Sequence, residues 1–193
     1  MIPGLYLFED FITESQESSL LAYIDEQEWN VSLSRRVQHY GYAYDDISSK
    51  SGFAKSKAKL AAKISDDLAD IRDEICEFIN ENCELNEHFN QCIINEYTRG
   101  QGIGGHVDHI SFGPVIISVS LNDDCEFVFE SIDSGEKRSV WVPHRSMLVL
   151  TGESRYKWKH SVPTRIGMFC DGQKIPRHSM WRRVSATFRT LDL

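Results

Sequence analysis

The chain of 193 residues is 41% hydrophobic and 26% charged and carries a formal net charge of −8, which is typical of one soluble globular domain over residues 1–193. No segment approaches the ~18 consecutive apolar residues of a membrane span, and the N-terminus lacks the basic stretch and cleavage site of a secretion signal. Five cysteines without a C-x-x-C pair argue against a disulfide framework and a structural zinc site. We therefore expect a monomer of the reducing cytoplasm, or of the nucleus in a eukaryote.

Two helices are predicted in the N-terminal half. Thr13 and Gln16 have the spacing of a capping box, and the leucines that follow indicate a helix over about 14–27. Residues 32–46 are aromatic and basic, with an alternation that favours a strand or an ordered loop. Apolar residues three and four apart then predict a long helix from about Lys55 to Asn82, with an apolar stripe that packs on a sheet.

From residue 91 onward, short β-like segments are separated by Gly, Pro, Asn and Asp. Seven of these segments are predicted as strands: 91–98, 114–121, 125–130, 138–142, 146–151, 157–163 and 183–190. Seven or more strands with helices packed outside them predict a mainly β, α+β fold of the sandwich or barrel type.

The glycine-rich segment 100–113 contains His106 and Asp108, two residues apart. Residues two apart on a strand project to the same side, so both side chains could reach one metal ion, whereas His109 would point to the other side. His160 lies in a later strand-like segment and could supply a third ligand. Two histidines and one carboxylate form the facial ligand set of non-haem Fe(II) oxygenases. A hairpin loop that is merely polar is the alternative.

Two other predicted strands carry residues suited to binding a carboxylate. Asn95 and Tyr97 are two apart, and Arg183 and Arg189 are six apart, so each pair shares one face of its strand. A buried arginine is costly unless an anion pairs with it, and its guanidinium is a natural bidentate partner for a carboxylate. Pairing with acidic residues of the chain itself is the alternative.

Four groups of residues follow one another in an order and spacing typical of one enzyme family: Asn95-Glu96-Tyr97, His106-Val107-Asp108, His160, and the segment from Arg183 to Arg189. Together they resemble the AlkB family of Fe(II)/2-oxoglutarate dioxygenases, and the segments Arg35–Tyr44 and Thr151–His160 look like two further family segments. The resemblance implies a double-stranded β-helix, or jelly roll, with N-terminal helices and a nucleotide-recognition lid.

The resemblance also implies roles for individual residues. The catalytic residues, which would hold Fe(II), are His106, Asp108 and His160. The residues that would bind 2-oxoglutarate are Asn95, Tyr97, Arg183 and Arg189, with Arg189 on the distal carboxylate. O2 would be consumed, 2-oxoglutarate would become succinate, and a C–H bond of the substrate would be hydroxylated.

The substrate implied by the resemblance is an alkylated base in RNA or DNA, demethylated with loss of formaldehyde. The same chemistry on a protein side chain is one alternative, and a jelly-roll binding module without turnover is another. From Ser134 to Leu193 there are 12 basic and 4 acidic residues, whereas residues 1–133 carry 9 and 25. This asymmetry fits a basic face for a polyanion, and it fits equally a solvated acidic helix beside ordinary basic loops.

The expected substrate contacts lie mainly in the lid segment. Arg36, Tyr42 and Tyr44 combine a cation for phosphates with rings that can stack an unpaired base, although an edge strand with one aromatic face in the core would look the same. Trp158, two residues before His160, is expected either in the cavity or in the core. Ile110 stands where some DNA-repair members carry a second acid, which weakens the case for repair of alkylated DNA.

Overall fold

The computed structural model describes residues 2–44 and 58–191, and the described part contains three helices and fourteen strands. In chain order these are β1 (Leu5–Phe8), α1 (Glu14–Glu26), β2 (Arg36–Tyr40), β3 (Tyr42–Tyr44), β4 (Ala58–Leu60), α2 (Asp66–Cys83), β5 (Gln91–Thr98), β6 (Ile103–His106), β7 (Phe112–Asn122), β8 (Cys125–Ser131), β9 (Lys137–Val142), β10 (Met147–Leu150), α3 (Gly152–Tyr156), β11 (Trp158–Val162), β12 (Gly167–Cys170), β13 (Gln173–Pro176) and β14 (Arg182–Leu191).

Two antiparallel sheets form the body of the protein. The larger sheet has the strand order β1-β10-β7-β14-β5-β2, and the smaller sheet has the order β6-β11-β8-β9. Their facing sides share an inter-sheet core, which includes Tyr97, Ile116, Phe129, Leu148 and Trp158. Because neighbours in each sheet are mostly distant in sequence, the chain crosses repeatedly between the sheets. This is the jelly-roll architecture expected from the sequence.

The outer face of the larger sheet is covered by α1 and α2. A helix-side core lies between them and includes Ile24, Ile75, Val184, Ala186 and Phe188. Successive residues of a strand point to opposite faces, so Val184, Ala186 and Phe188 of β14 face the helices, while the residues between them face the smaller sheet. Burial of an Ile or Phe side chain of this kind contributes about 1.5–3 kcal/mol. The alternation of β14 thus places apolar residues in the core on one face and leaves polar residues on the face toward the smaller sheet.

The first helix agrees with its sequence prediction. The side chain of Thr13 accepts a hydrogen bond from the backbone N–H of Gln16 at 3.2 Å, and Oε1 of Gln16 accepts one from the backbone N–H of Thr13 at 2.8 Å. The predicted capping box is therefore confirmed. Among the described residues, no helix is long and apolar enough to cross a membrane.

The predicted start of the second helix was wrong. The helix begins at Asp66, and Ser65 caps it by accepting a hydrogen bond from the backbone N–H of Leu68. Leu60, which suited the helical spacing, lies in β4 and is 82% exposed. A serine followed by two acidic residues is itself a helix-start signal, because the carboxylates favour the positive end of the helix dipole. The helix therefore begins at this capping serine and not at the earlier apolar residues of helical spacing.

All seven strands predicted after residue 90 are confirmed, with ends that differ by at most two residues. The segment 32–46 contains β2 and β3, in keeping with the strand alternative. Strands β1, β12 and β13, each of four residues, were not predicted. The strand that was expected to carry both His106 and Asp108 is β6, which ends at His106.

Candidate metal centre

His106 and His160 are brought together by strand pairing. His106 ends β6, His160 lies in the middle of β11, and the antiparallel register places the two residues opposite each other. Their ring centroids are 4.4 Å apart. Asp108 lies in the loop after β6, with its Oδ2 atom 3.4 Å from Nε2 of His160. Each of the three residues offers a ligand atom, and these atoms all lie within 4.8 Å of one another, so they could hold one metal ion.

The backbone around His106 fixes which ring nitrogen is available. Nδ1 of His106 lies 2.9 Å from the carbonyl oxygen of Gly104. A carbonyl can only accept, so Nδ1 carries the proton and Nε2 keeps a free lone pair. A metal-binding histidine is commonly oriented by such a bond from its second nitrogen. His106 is therefore held in the tautomer that a metal ion requires.

Local charges give Asp108 and His160 the protonation states of metal ligands. Burial alone would raise the pKa of Asp108, but the charge of Arg189, followed by those of the two histidines, outweighs burial and holds the pKa at about 2. Burial lowers the pKa of His160 to about 4, although the charge of Asp108 acts in the opposite direction. At neutral pH the carboxylate is ionised and this imidazole is neutral, which are the forms that bind metals.

His109 lies outside this cluster, but not for the reason expected. Strand β6 ends at His106, so Asp108 and His109 do not continue its alternation. Instead the backbone turns, and Nδ1 of His109 accepts a hydrogen bond from the backbone N–H of Ser111 at 3.1 Å. This bond directs one ring nitrogen of His109 into its own turn.

The cluster of His106, Asp108 and His160 lines a cavity between the two sheets. The cavity has a volume of about 100 Å³, whereas about 10–15 Å³ holds one water, so a small organic acid fits. Its lining includes the three candidate ligands together with the residues expected to bind 2-oxoglutarate, namely Asn95, Tyr97, Arg183 and Arg189.

Arg183 lines this cavity and has a buried donor without a hydrogen-bond partner. Its side chain is 1% exposed, and Nε donates to Oγ of Ser120 at 3.1 Å. The guanidinium lies 5.7 Å from the ring centroid of Tyr97 and 4.9 Å from that of Phe127, while Nη2 has no hydrogen-bond partner. A buried, charged donor without a partner is costly, and an incoming carboxylate would remove that cost. The residues present therefore fit a bound dicarboxylate.

Arg189 is engaged differently from the expectation that it holds the distal carboxylate. Nη1 donates to Oδ1 of Asp108 at 2.9 Å, and Nε donates to Oε1 of Gln91 at 2.8 Å. Six residues of strand separate the Cα atoms of Arg183 and Arg189 by about 20 Å. Arg189 therefore lies at the metal-ligand end of the cavity. A carboxylate distant from the metal is closer to the unused donor of Arg183.

The model of the 2OG-Fe(II) oxygenase superfamily matches residues 4–189 of the chain. The chain belongs to this superfamily. Within it the chain is AlkB-like: it is 35% identical, over 97% of its own length, to the alkylated DNA repair protein ALKBH8 homolog of Arabidopsis thaliana. It is 33% identical, over 84% of its length, to the tRNA (carboxymethyluridine(34)-5-O)-methyltransferase ALKBH8 of Macaca fascicularis. The chain spans 58% of the first of these proteins and 24% of the second.

The fold has a close counterpart among solved structures. The structure of OsALKBH1 superimposes with a TM-score of 0.69 at 18% sequence identity, covering 98% of this chain and 99% of that one. At this identity the similarity concerns the fold. It agrees with the jelly-roll architecture described above.

The AlkB-like domain uses neighbouring arginines for different purposes. Arg35 lines the cavity and donates from Nε to Oδ1 of Asn95 at 2.8 Å. Arg36, predicted as a substrate contact, instead points to the opposite face, where Nη2 donates to Oε1 of Glu96 at 2.7 Å and the guanidinium lies over the ring of Trp29. Arg36, expected as a cation for phosphates in the lid segment, therefore lies away from the cavity and is paired with Glu96. Adjacent residues at the start of a strand point to opposite faces, and the strand begins at Arg36.

The aromatic residues proposed for the dioxygenase substrate are less central than expected. Tyr42 is half-buried and packs against the inter-sheet core, beside rather than within the lining of the cavity. The side chain of Tyr44 lies outside the described part of the structure. Trp158 is buried in the inter-sheet core, 5.4 Å from the guanidinium of Arg138. Of its two alternatives, the structure therefore supports the core position.

Three residues of the site were not predicted from the sequence. Gln91 and Ser120 orient the two cavity arginines, and Arg155 contacts the loop that carries Asp108. Gln91 and Ser120 could have been found from alternation, because each is polar and shares its strand face with cavity residues. No sequence pattern indicated Arg155.

Proposed function

We propose that this domain is a dioxygenase that uses Fe(II), 2-oxoglutarate and O2 to hydroxylate or oxidatively demethylate an alkylated base in RNA or DNA. One observation carries the chemistry: His106, Asp108 and His160 line the same cavity as Arg183, whose Nη2 has no hydrogen-bond partner. Binding of a keto acid such as 2-oxoglutarate to a metal requires ligands for the metal and a cation for the distal carboxylate, and both are present in this cavity.

The residues divide the work of binding. His106, Asp108 and His160 would hold Fe(II), which when bound supplies the activation of O2 that is coupled to conversion of 2-oxoglutarate to succinate. Arg183 would bind the distal carboxylate, with Asn95 and Tyr97 beside it. Arg189 would remain on Asp108 and keep that carboxylate ionised. The apolar lining of the cavity would exclude bulk water from the reaction.

Several observations support a nucleic-acid substrate. The name of the Arabidopsis relative refers to alkylated DNA, and that of the macaque relative to tRNA. Arg35 places a guanidinium at the cavity, where it can contact a base or its phosphate. Tyr42 lies on the same side of the sheet, near Gln91 at the other end of β5, so β2 and β3 are the candidate lid.

The decisive experiment supplies the Fe(II)-loaded protein with 2-oxoglutarate and, in turn, methylated nucleosides, methylated RNA and DNA oligonucleotides, and methylated peptides. We expect an oligonucleotide to stimulate formation of succinate and to release formaldehyde or a hydroxylated base. Turnover stimulated only by a peptide would replace the nucleic-acid substrate with a protein side chain. Absence of succinate with every substrate, and without substrate, would contradict the proposed chemistry.

Binding to the polymer can be measured without turnover. We expect the affinity of the metal-free protein for the best oligonucleotide to fall steeply as salt is added, because each neutralised phosphate releases condensed counterions. A peptide would show a much shallower dependence on salt. No binding at low salt would contradict the nucleic-acid proposal.

A further inference from the structure

Arg155 is a buried arginine close to the proposed metal centre that has no assigned role. It lies in α3, five residues before His160, and is only 2% exposed. None of the ion pairs found within residues 2–44 and 58–191 includes Arg155. A guanidinium is expensive to bury, so the groups that it contacts identify what it stabilises.

The hydrogen-bond partners of the Arg155 side chain are backbone carbonyl oxygens between Asp108 and the start of β7, and the guanidinium also lies 4.8 Å from the ring centroid of Tyr156. Nη1 donates to the carbonyl of Asp108 at 2.8 Å, and Nη2 donates to that of His109 at 2.9 Å and to that of Phe112 at 3.3 Å. Nε lies 3.4 Å from the carbonyl of Gly113. The planar fork of one side chain thus spans the segment from Asp108 to Gly113.

The first part of this segment lies outside the sheets. Strand β6 ends at His106 and β7 begins at Phe112, so Asp108 does not belong to a sheet ladder. Within the segment, the backbone N–H of Phe112 donates to the carbonyl of His109 at 3.0 Å and forms a tight turn. Arg155 ties that turn and the carbonyl of Asp108 to α3. Because α3 leads directly into β11, the same contact relates the Asp108 loop to the strand that carries His160.

We propose that Arg155 is a positioning residue that sets the geometry of the metal ligands by fixing the backbone of Asp108 relative to His160. The inference rests on the proposed metal centre at His106, Asp108 and His160. Arg155 does not contact the metal or the cosubstrate in this role. It acts through the carbonyl of Asp108, while Arg189 acts on the carboxylate of the same residue.

Arg177 provides a matched control. It is also fully buried, and it also donates to backbone carbonyls, with Nη1 on Gln101 and Nη2 on Pro163, both at 2.9 Å. Its guanidinium lies 4.0 Å from the ring centroid of Trp181. Neither carbonyl belongs to a candidate ligand. Replacement of Arg177 should therefore cost stability of a similar kind without moving Asp108.

The test compares Arg155→Lys, Arg155→Met and Arg177→Lys with the wild-type protein, using Co(II) as an oxidation-resistant probe for the Fe(II) site. A lysine keeps the charge but loses the fork that spans several carbonyls. Residues that orient metal ligands typically change metal affinity by about 10–100-fold. We expect both Arg155 variants to bind Co(II) at least about tenfold more weakly and to change its absorption spectrum. Arg177→Lys should leave Co(II) affinity and spectrum close to those of the wild type.

Thermal unfolding of the metal-free proteins separates positioning from general stability. We expect Arg155→Lys and Arg177→Lys to lower Tm by similar amounts. Wild-type affinity and an unchanged spectrum in folded Arg155→Lys would overturn the inference. Loss of the fold in both Arg155 variants, with Arg177→Lys folded, would also overturn it, because Arg155 would then serve the whole fold. If the wild-type protein does not bind Co(II), the proposed metal centre itself is contradicted, and the inference about Arg155 is contradicted with it.

Discussion

Arg189 and Asp108 form a buried ion pair at the base of the cavity, with Nη1 of the arginine 2.9 Å from Oδ1 of the carboxylate. The other oxygen, Oδ2, lies 3.4 Å from Nε2 of His160. The arginine thus occupies one oxygen and leaves the second on the side of the histidines. A single carboxylate is thereby given a fixed orientation and a low pKa before any metal binds.

The two cavity arginines should respond differently to replacement by lysine. We expect Arg183→Lys to raise the dissociation constant of 2-oxoglutarate more than about tenfold, since a charged hydrogen bond is worth roughly 1.5–3 kcal/mol, while Co(II) affinity stays within about threefold of wild type. We expect Arg189→Lys to weaken Co(II) binding by about 10–100-fold, because Asp108 loses its orienting partner. Calorimetric titrations with Co(II), and then with 2-oxoglutarate, measure both effects. Weaker 2-oxoglutarate binding in Arg189→Lys, with weaker Co(II) binding in Arg183→Lys, would indicate that Arg189 binds the distal carboxylate.

Replacement of single candidate ligands tests the proposed metal site. We expect His106→Ala, Asp108→Ala and His160→Ala each to abolish stoichiometric Co(II) binding and turnover, because a three-ligand facial site has no spare protein ligand. His109→Ala should keep most of the Co(II) binding and most of the turnover, because Nδ1 of His109 is hydrogen-bonded to Ser111 within its own turn. Equilibrium dialysis with Co(II) measures binding directly. Retained binding in His160→Ala, together with loss in His109→Ala, would refute the assignment of ligands.

Arg35, which precedes β2, and Arg36, its first residue, form a natural pair of variants because their side chains lie on opposite faces of the larger sheet. We expect Arg35→Gln to weaken oligonucleotide binding at least about fivefold, because it removes the cation at the cavity. Arg36→Gln should leave oligonucleotide binding nearly unchanged and lower the free energy of unfolding by about 1–2 kcal/mol, since its pair with Glu96 is partly screened by water. Fluorescence anisotropy and urea unfolding separate the two effects. Equal loss of binding in both variants would mean that the arginines act through general charge alone.

The buried carboxyl of Glu96 gives the protein a pH-dependent stability. Burial acts to raise the pKa of Glu96, but hydrogen bonds from Arg36 and Arg182 outweigh it, so the folded-state pKa lies below the ordinary value. The contribution of Glu96 is therefore complete above the unfolded pKa of about 4.3 and is lost as pH falls through the lower folded value. We expect Glu96→Gln to cost about 2–3 kcal/mol at pH 7, and this difference to shrink as pH falls below about 4.

Urea unfolding at a series of pH values measures this prediction. Glu130→Gln is the matched control, because Glu130 pairs with Lys137 at 3.1 Å on the exposed surface. Its cost should stay below about 1 kcal/mol at every pH. A difference between wild type and Glu96→Gln that does not change with pH would show that the loss comes from packing and not from the charge.

The sequence by itself determined the features that depend on local spacing. The capping box of Thr13 and Gln16 needs only two side chains three residues apart, and the alternation of β14 needs only the two-residue period of a strand. The same period predicted that Arg183 and Arg189 would share a face. The candidate ligand set was proposed because His106, Asp108 and His160 occur in an order typical of one family, and the structure brings the three residues together.

Only the tertiary structure decided which partner each long side chain reaches. Arg189 meets Asp108, Arg36 meets Glu96, and Arg155 meets the carbonyls of a loop more than forty residues away in sequence. A periodic pattern gives the face on which a side chain lies, but an arginine extends several ångströms from its Cα and can bind any acceptor within that reach. Which acceptors are available depends on how the two sheets stack, and the sequence of a single strand does not determine that arrangement.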